Sequence, residues 1–131
     1  MALQGLHHYT IRPVDLERTK DFYVDVLGLP VGDRPPLAFP GYWLYCGGVP
    51  TVHLIGPRAE EGAHAAREVA STGLLDHIAF SCHGLGEVRA KLEQHNVPYT
   101  ERLVPRDGQT QLFMRDPDGI SVELNFAKGD S

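Results

Sequence analysis

The stretch LLDHIAF at residues 74–80 decides the fold, because the chain contains a second version of it, GLHHYTI, at residues 5–11. A shift of the sequence by 69 positions places Leu6 on Leu75 and His8 on His77. A period of this length is long enough for a complete supersecondary unit. The sequence therefore predicts two copies of one module.

The far ends of the two modules repeat as well. A shift of 70 positions lays YWLYCGGVPTVHL, residues 42–54, over LFMRDPDGISVEL, residues 112–124, without a gap, and places His53 on Glu123. At both repeated positions, His8 with His77 and His53 with Glu123, every side chain is a possible metal ligand. We predict one domain over residues 1–131, divided into module 1 at 1–55, a linker at 56–73 and module 2 at 74–127.

Composition excludes several classes of protein. The 131 residues are 42% hydrophobic, which is ordinary for one compact domain. A net charge of −5 without a cluster of Lys and Arg argues against nucleic acid or an anionic membrane as a partner. No segment has the length and apolarity of a membrane span, and the N-terminus does not resemble a signal peptide, so we expect a soluble, cytoplasmic protein. Cys46 and Cys82 fall in predicted strands as buried thiols.

The hydrophobic periodicity predicts a βαβββ order in each module and hence an α+β fold. Asp15 is the expected N-cap of the first helix, and Gly28 lies where that helix ends. The second helix is predicted at 85–94, and the polar linker has one possible helical turn at 65–70. The tail at 128–131 is expected to fray. The predicted strands are 6–12, 29–33, 42–46 and 51–55 in module 1, and 74–82, 97–101, 109–115 and 120–126 in module 2.

Strand alternation separates a helix side from a second face in each module. Val52 and Leu54 take the helix side, which leaves His53 on the opposite face. The same alternation places His8, His77 and Glu123 on the faces that point away from the helices. Aromatic, amide and cationic side chains share these faces and would line a cavity between curled sheets: Arg12, Trp43, Tyr45, Gln111, Phe113 and Arg115.

A metal ion explains the polar residues of these faces best. Glu123 lies between Val122 and Leu124, and an isolated buried carboxylate is costly unless it has a partner. Imidazoles at the matching repeat positions supply further ligands, and a mixed imidazole and carboxylate set suits Zn, Fe, Ni, Mn or Co. The other histidines are interpreted as ordinary surface or hydrogen-bonded residues: His7, His64, His83 and His95.

Four segments together resemble the vicinal oxygen chelate superfamily, which includes glyoxalase I, fosfomycin-resistance proteins, methylmalonyl-CoA epimerase and extradiol dioxygenases. The segments are LHHYTIRPVDLERTKDFYVDVLGL at 6–29, TVHLIG at 51–56, LLDHIAF at 74–80 and LFMRDPDGISVELNF at 112–126. The resemblance implies paired βαβββ modules that form curved mixed sheets around a concave site for one divalent metal ion. His8, His77 and Glu123 match the metal positions, and His53 lies where glyoxalase I and the epimerases have a further carboxylate or amide ligand.

This resemblance implies an enzyme that acts on a small, oxygen-chelating substrate. A glyoxalase-like lyase or isomerase is the first hypothesis, with Glu123 as the proton-transfer base and Arg12 or Arg115 holding an anionic substrate group. An extradiol-type Fe(II) dioxygenase is one alternative. A ligand-binding or bleomycin resistance-like protein without turnover is another.

The resemblance also implies a homodimer, because half-barrels closed between subunits are frequent in glyoxalase-like relatives. Each metal site would then take His8 and His53 from one chain and His77 and Glu123 from the other.

Overall fold

The computed structural model describes residues 2–57 and 72–131. The chain divides into two compact units, Met1–Glu68 and Val69–Ser131. Each unit contains a four-stranded mixed sheet and a helix between its first two strands. The predicted α+β fold with two βαβββ modules is therefore confirmed. The helical turn predicted at 65–70 lies outside the described residues.

The first unit contains one helical segment and four strands, and its sheet has the order β1-β4-β3-β2. The first strand pairs in parallel with the fourth, and the other neighbours are antiparallel. β1 is shorter than the predicted 6–12, because it pairs with β4 only from Tyr9 to Ile11. The elements are β1 Tyr9–Ile11, α1 Leu16–Asp21 with a π-helical turn Phe22–Val26, β2 Val31–Gly32, β3 Gly41–Cys46 and β4 Val49–Ile55.

The ends of the first helix follow the sequence. The Asp15 side chain accepts a hydrogen bond from the Arg18 backbone N–H at 3.1 Å, as expected of an N-cap. Gly28 has a φ of +76°, a left-handed conformation that suits glycine after a helix. Thr19 and Tyr23 are buried, so this side of the helical segment contributes to the core.

The second unit repeats this topology with the strand order β5-β8-β7-β6. β5 and β8 are parallel, and the other pairs are antiparallel. The helix has the predicted bounds, whereas β5 begins at residue 78 rather than 74, because its pairing with β8 starts at Ile78. The elements are β5 Ile78–Cys82, α2 Leu85–Gln94, β6 Tyr99–Leu103, β7 Thr110–Arg115 and β8 Ser121–Phe126.

The C-terminal tail does not fray as predicted, because Asp130 caps α2. Its carboxylate accepts hydrogen bonds from the Gly84 N–H at 3.0 and 3.1 Å and from the Leu85 N–H at 2.8 Å. Gly84 is the N-cap residue and has no side chain to accept these bonds. A carboxylate at the positive end of the helix dipole is also electrostatically favourable.

The core confirms the predicted division into two faces. In each sheet the helix-side positions are buried, and the partner positions along neighbouring strands fall on the same face. The opposite faces are therefore the ones that hold the candidate ligands. The buried helix-side residues are Ile11, Leu44, Val52 and Leu54 in the first unit and Leu112, Met114, Val122 and Leu124 in the second. Among the described residues, no helix is long and apolar enough to cross a membrane.

Candidate functional site

Three aromatic rings are stacked on the face of the first unit that points away from its helix. The His53 ring lies between Trp43 and His8, with ring centroids 4.1 Å from Trp43 and 3.9 Å from His8. The angles between the ring planes are 9° and 13°. β3 and β4 position two of the rings, because Trp43 and His53 are directly opposite in the antiparallel register.

The interior ring of this stack is buried, and its outer neighbour is exposed. His53 is 8% exposed, and its Nε2 lies 3.0 Å from the Pro50 carbonyl oxygen. Burial lowers the pKa of His53, the nearby His8 adds to this effect, and the hydrogen bond with Pro50 opposes it. The Nδ1 of His8 lies 2.7 Å from the Nδ1 of His7. The free edge of the exposed His8 ring therefore carries Nε2.

The stacked arrangement limits how the imidazoles of His8 and His53 can bind a metal ion. A histidine binds a metal along a nitrogen lone pair, which lies in the plane of the ring, at about 2.1 Å. Because the His8 and His53 rings are nearly parallel and their centroids are 3.9 Å apart, an ion in the plane of one ring lies outside the plane of the other. In this arrangement the two side chains do not fit the same ion together.

On the second unit, Glu123 is the centre of a hydrogen-bonded group on the face opposite α2. The residue is 8% exposed. Its Oε2 accepts hydrogen bonds from the Asn125 amide at 2.6 Å and the Gln111 amide at 3.3 Å. The Gln111 amide also donates to Asn125 at 2.9 Å, and its oxygen accepts from Arg102 at 3.0 and 2.6 Å. These bonds fix Oε2 and leave Oε1 to face His77.

His77 lies immediately before β5, and its two ring nitrogens have different neighbours. Nδ1 is 2.7 Å from the Asp76 carboxylate, and Nε2 is 3.4 Å from Glu123 Oε1. The hydrogen bond to Asp76 raises the pKa of His77, desolvation opposes this, and the charge of Glu123 adds to the increase. A metal-binding imidazole usually has such a carboxylate on its other nitrogen, where it fixes the orientation of the ring.

The distance between His77 Nε2 and Glu123 Oε1 suits two ligands of one ion. Two bonds of about 2.1 Å that meet near the tetrahedral angle place their ligand atoms about 3.4 Å apart. The same distance, 3.4 Å, separates these two atoms here. The pair therefore fits a divalent cation in donor type, spacing and outer hydrogen bonds. Among residues 2–57 and 72–131, no group of three His, Cys, Asp or Glu side chains is close enough to hold an ion.

The structure places the other predicted site residues in different environments. Arg12 follows β1 and is exposed, whereas Tyr45 lies against Gly32 and donates a hydrogen bond to the Asp33 carbonyl at 2.6 Å. Phe113 is opposite Glu123 in the β7–β8 register, and Arg115 is opposite Ser121. Tyr45 thus packs within its own sheet, and Phe113 lies beside the candidate ligand pair.

Sequence reasoning missed three residues that hold the site together. Asp76 precedes His77, Asn125 lies two positions after Glu123 on the same strand face, and Arg102 is opposite Gln111 on β6. Strand alternation could have identified Asn125. Asp76 and Arg102 carried no comparable signal, because their roles depend on side-chain orientation and strand pairing.

Sequence comparison identifies the family of the chain. Residues 5–124 match the sequence model of the Glyoxalase/Bleomycin resistance protein/Dioxygenase superfamily. The chain belongs to this superfamily. Its relatives include Glyoxylase I 4 of Arabidopsis thaliana, which is 32% identical over 127 residues, with 95% of this chain and 71% of the relative covered. The lactoylglutathione lyase of Escherichia coli O157:H7 is 31% identical over 137 residues, with 91% of this chain and 90% of the relative covered.

Two solved structures show the same fold. A glyoxalase family protein from Bacillus anthracis has a TM-score of 0.74 at 20% identity, with 98% of each chain covered. The fosfomycin resistance protein FosX of Listeria monocytogenes has a TM-score of 0.72 at 16% identity, with 97% of this chain and 96% of that chain covered. At such identities the likeness concerns the fold alone, since one fold supports several chemistries.

Proposed function

We propose that this member of the glyoxalase superfamily is a divalent-metal-dependent lyase or isomerase, acting on a small molecule with two neighbouring oxygens. The observation that supports the proposal most directly is the 3.4 Å separation of His77 Nε2 and Glu123 Oε1. Their outer atoms are already held by Asp76 and Asn125. A metal-binding histidine usually has a carboxylate or carbonyl partner on its other nitrogen, so these outer bonds support a cation-binding role for the pair.

His8 is the third proposed ligand, through its free Nε2, and is supplied by the same chain or by a second copy. When bound, a divalent ion acts as a Lewis acid that polarises substrate oxygens. Zn, Fe, Ni, Mn and Co all suit two imidazoles and a carboxylate. His53 has a supporting role in this proposal, because its stacked ring and its bond to Pro50 suit an orienting residue better than a further ligand.

Glu123 is the proposed proton-transfer base. The hydrogen bonds from Asn125 and Gln111 hold Oε2. Oε1 would therefore hold the ion when no substrate is bound, and it would move a proton between neighbouring substrate atoms only when it is not bound to the ion. Relatives above 30% identity carry the names Glyoxylase I 4 and lactoylglutathione lyase, which supports a hemithioacetal as the substrate to test first.

Metal analysis of the chelated and reloaded protein is the first test. We expect about one ion per chain, with loss of the ion in His77→Ala and in Glu123→Gln. His83→Ala is the matched control, because His83 is an exposed histidine of the same unit outside the hydrogen-bonded group. A protein that binds none of the five metals would exclude the proposal.

Activity of the loaded protein distinguishes the enzyme classes. Turnover of a hemithioacetal with Ni or Zn supports the lyase, whereas oxygen uptake with Fe(II) and catechols indicates a dioxygenase. Ligand quenching of Trp43 fluorescence that is unchanged by a chelator, without turnover, indicates a binding protein.

A further inference from the structure

The sheet of the second unit carries a cavity that the candidate metal ligands do not form. Its volume is about 440 Å³, and its lining includes Pro98, Thr100, Phe113, Arg115 and Ser121. Sites for small molecules usually have volumes of about 300–1,000 Å³ and combine apolar walls with a few polar groups. The cavity is therefore large enough for a small organic ligand.

Strand register places this cavity beside Glu123. Phe113 is opposite Thr100 on one side and Glu123 on the other, and Arg115 is opposite Ser121. Residues two apart on a strand share a face and are separated by about 7 Å. Ser121 and Arg115 thus lie on the same face as Glu123, about one such step away.

Arg115 gives the cavity a positive charge, and no carboxylate of residues 2–57 or 72–131 forms an ion pair with it. Its Nη1 donates to the Gly119 carbonyl at 2.9 Å, and within the described part of the chain it forms no salt bridge. Arg102 also lacks a carboxylate partner among these residues. However, its Nε and Nη2 donate hydrogen bonds to Gln111, and its Cζ lies 5.6 Å from the centroid of the Phe113 ring. Arg115 is thus the cation at this cavity whose remaining N–H groups can meet a ligand.

We propose that this cavity is a subsite for the carboxylate-bearing part of the substrate. Arg115 binds the carboxylate, with a geometry that favours two parallel N–H···O bonds, and Phe113 with Pro98 contacts the adjoining hydrocarbon. The identification of the ligand as the substrate rests on the proposed function. Arg115 is opposite Ser121, which lies two residues before Glu123 on β8. The carboxylate of the substrate must therefore be several bonds away from the oxygens that react near Glu123.

Binding of benzoate to the ¹⁵N-labelled protein tests the subsite, with neutral benzamide as the uncharged probe. The protein is kept in a chelator, so the result does not depend on metal binding or turnover. We expect benzoate to shift the amide signals of Thr100, Phe113 and Arg115 and to bind at least about tenfold more tightly than benzamide, as for a charged hydrogen bond. Arg115→Gln should remove this preference. Arg106→Gln should retain it, because this control makes the same charge change at an exposed position.

Three results would overturn the subsite: equal binding of benzoate and benzamide, shifts confined to other parts of the protein, or unchanged benzoate affinity in Arg115→Gln. The benzamide comparison uses the unaltered chain, so it decides the question even if Arg115→Gln folds poorly. A protein that binds benzoate here but no metal retains the subsite and loses the proposed function. A protein that binds metal but shows no preference for benzoate retains the proposed function and loses the subsite.

Discussion

The imidazole of His53 lies flat against that of His8, with 3.9 Å between the ring centroids and 13° between the planes. Trp43 covers the other face of His53. The repeat aligns His53 with Glu123, so a metal-binding role was the natural expectation for it. The stack favours a different role, in which the buried His53 ring orients the exposed ring of His8, a candidate ligand.

The orienting role predicts different outcomes for two substitutions of His53. His53→Phe preserves a flat ring between Trp43 and His8, so metal affinity should stay within about threefold of the unaltered protein. His53→Ala removes the ring and should weaken metal binding by about 10- to 100-fold, the usual cost of losing a residue that orients a metal ligand. Competition with a chelator of known affinity measures both. Equal, severe loss in the two variants would instead identify His53 as a ligand.

The hydrogen bonds to Glu123 predict unequal effects for its two amide partners. Asn125→Ala removes a bond of 2.6 Å, whereas Gln111→Ala removes one of 3.3 Å to the same oxygen. We expect Asn125→Ala to lower metal affinity by about tenfold or more and Gln111→Ala to have the smaller effect. Titration of each apoprotein with Zn provides the comparison. The reverse order would show that Asn125 does not hold the carboxylate in place.

Asp130 should contribute to stability although it lies next to the end of the chain. Asp130→Ala leaves the Gly84 and Leu85 N–H groups without their carboxylate partner, which should cost about 1–2 kcal/mol. A lower urea midpoint, with little change in slope, is the expected observation. Deletion of Ser131 alone is the control and should leave the midpoint almost unchanged. A similar decrease in both variants would point to the tail in general rather than to the cap.

The Arg89–Glu101 pair predicts a small acid dependence of stability. The hydrogen bond from Arg89 lowers the pKa of Glu101, and desolvation opposes this shift. The folded state therefore takes up the Glu101 proton less readily than the unfolded state does. The stabilisation is present above the ordinary value of 4.5 and is lost as the pH falls through the lower folded pKa.

Thermal unfolding from pH 6 to pH 3 tests this dependence. Glu101→Gln should flatten the acid decrease, and added salt should reduce the difference because the pair is partly exposed. Glu87→Gln is the control on the same unit. A steeper acid decrease in Glu101→Gln would contradict the assigned sign.

A homodimer with metal sites shared between chains predicts complementation. His8→Ala and Glu123→Ala are each expected to be inactive alone. In a mixed dimer with shared sites, both lesions fall in one site and the other is intact. Random exchange makes half of the dimers mixed, with one good site of two, so activity should recover to about a quarter of that of the unaltered protein. No recovery after verified exchange would show that each site is built within one chain.

The sequence by itself determined the features that depend on neighbouring residues. The Asp15 cap, the 85–94 helix and the division of each sheet into two faces all agree with prediction. Capping and strand alternation act over a few residues, so their signals can be read directly from the chain.

Only the tertiary structure decided the features that join distant residues. The Asp130 cap reaches 46 residues back to Gly84, and His77 meets Glu123 across the parallel β5–β8 pair. Alternation assigns a side chain to a face, but it does not give the plane of a ring or the atom that a carboxylate presents. Those depend on packing against residues far along the chain, which is why the sequence identified His53 and the structure showed that its ring is stacked.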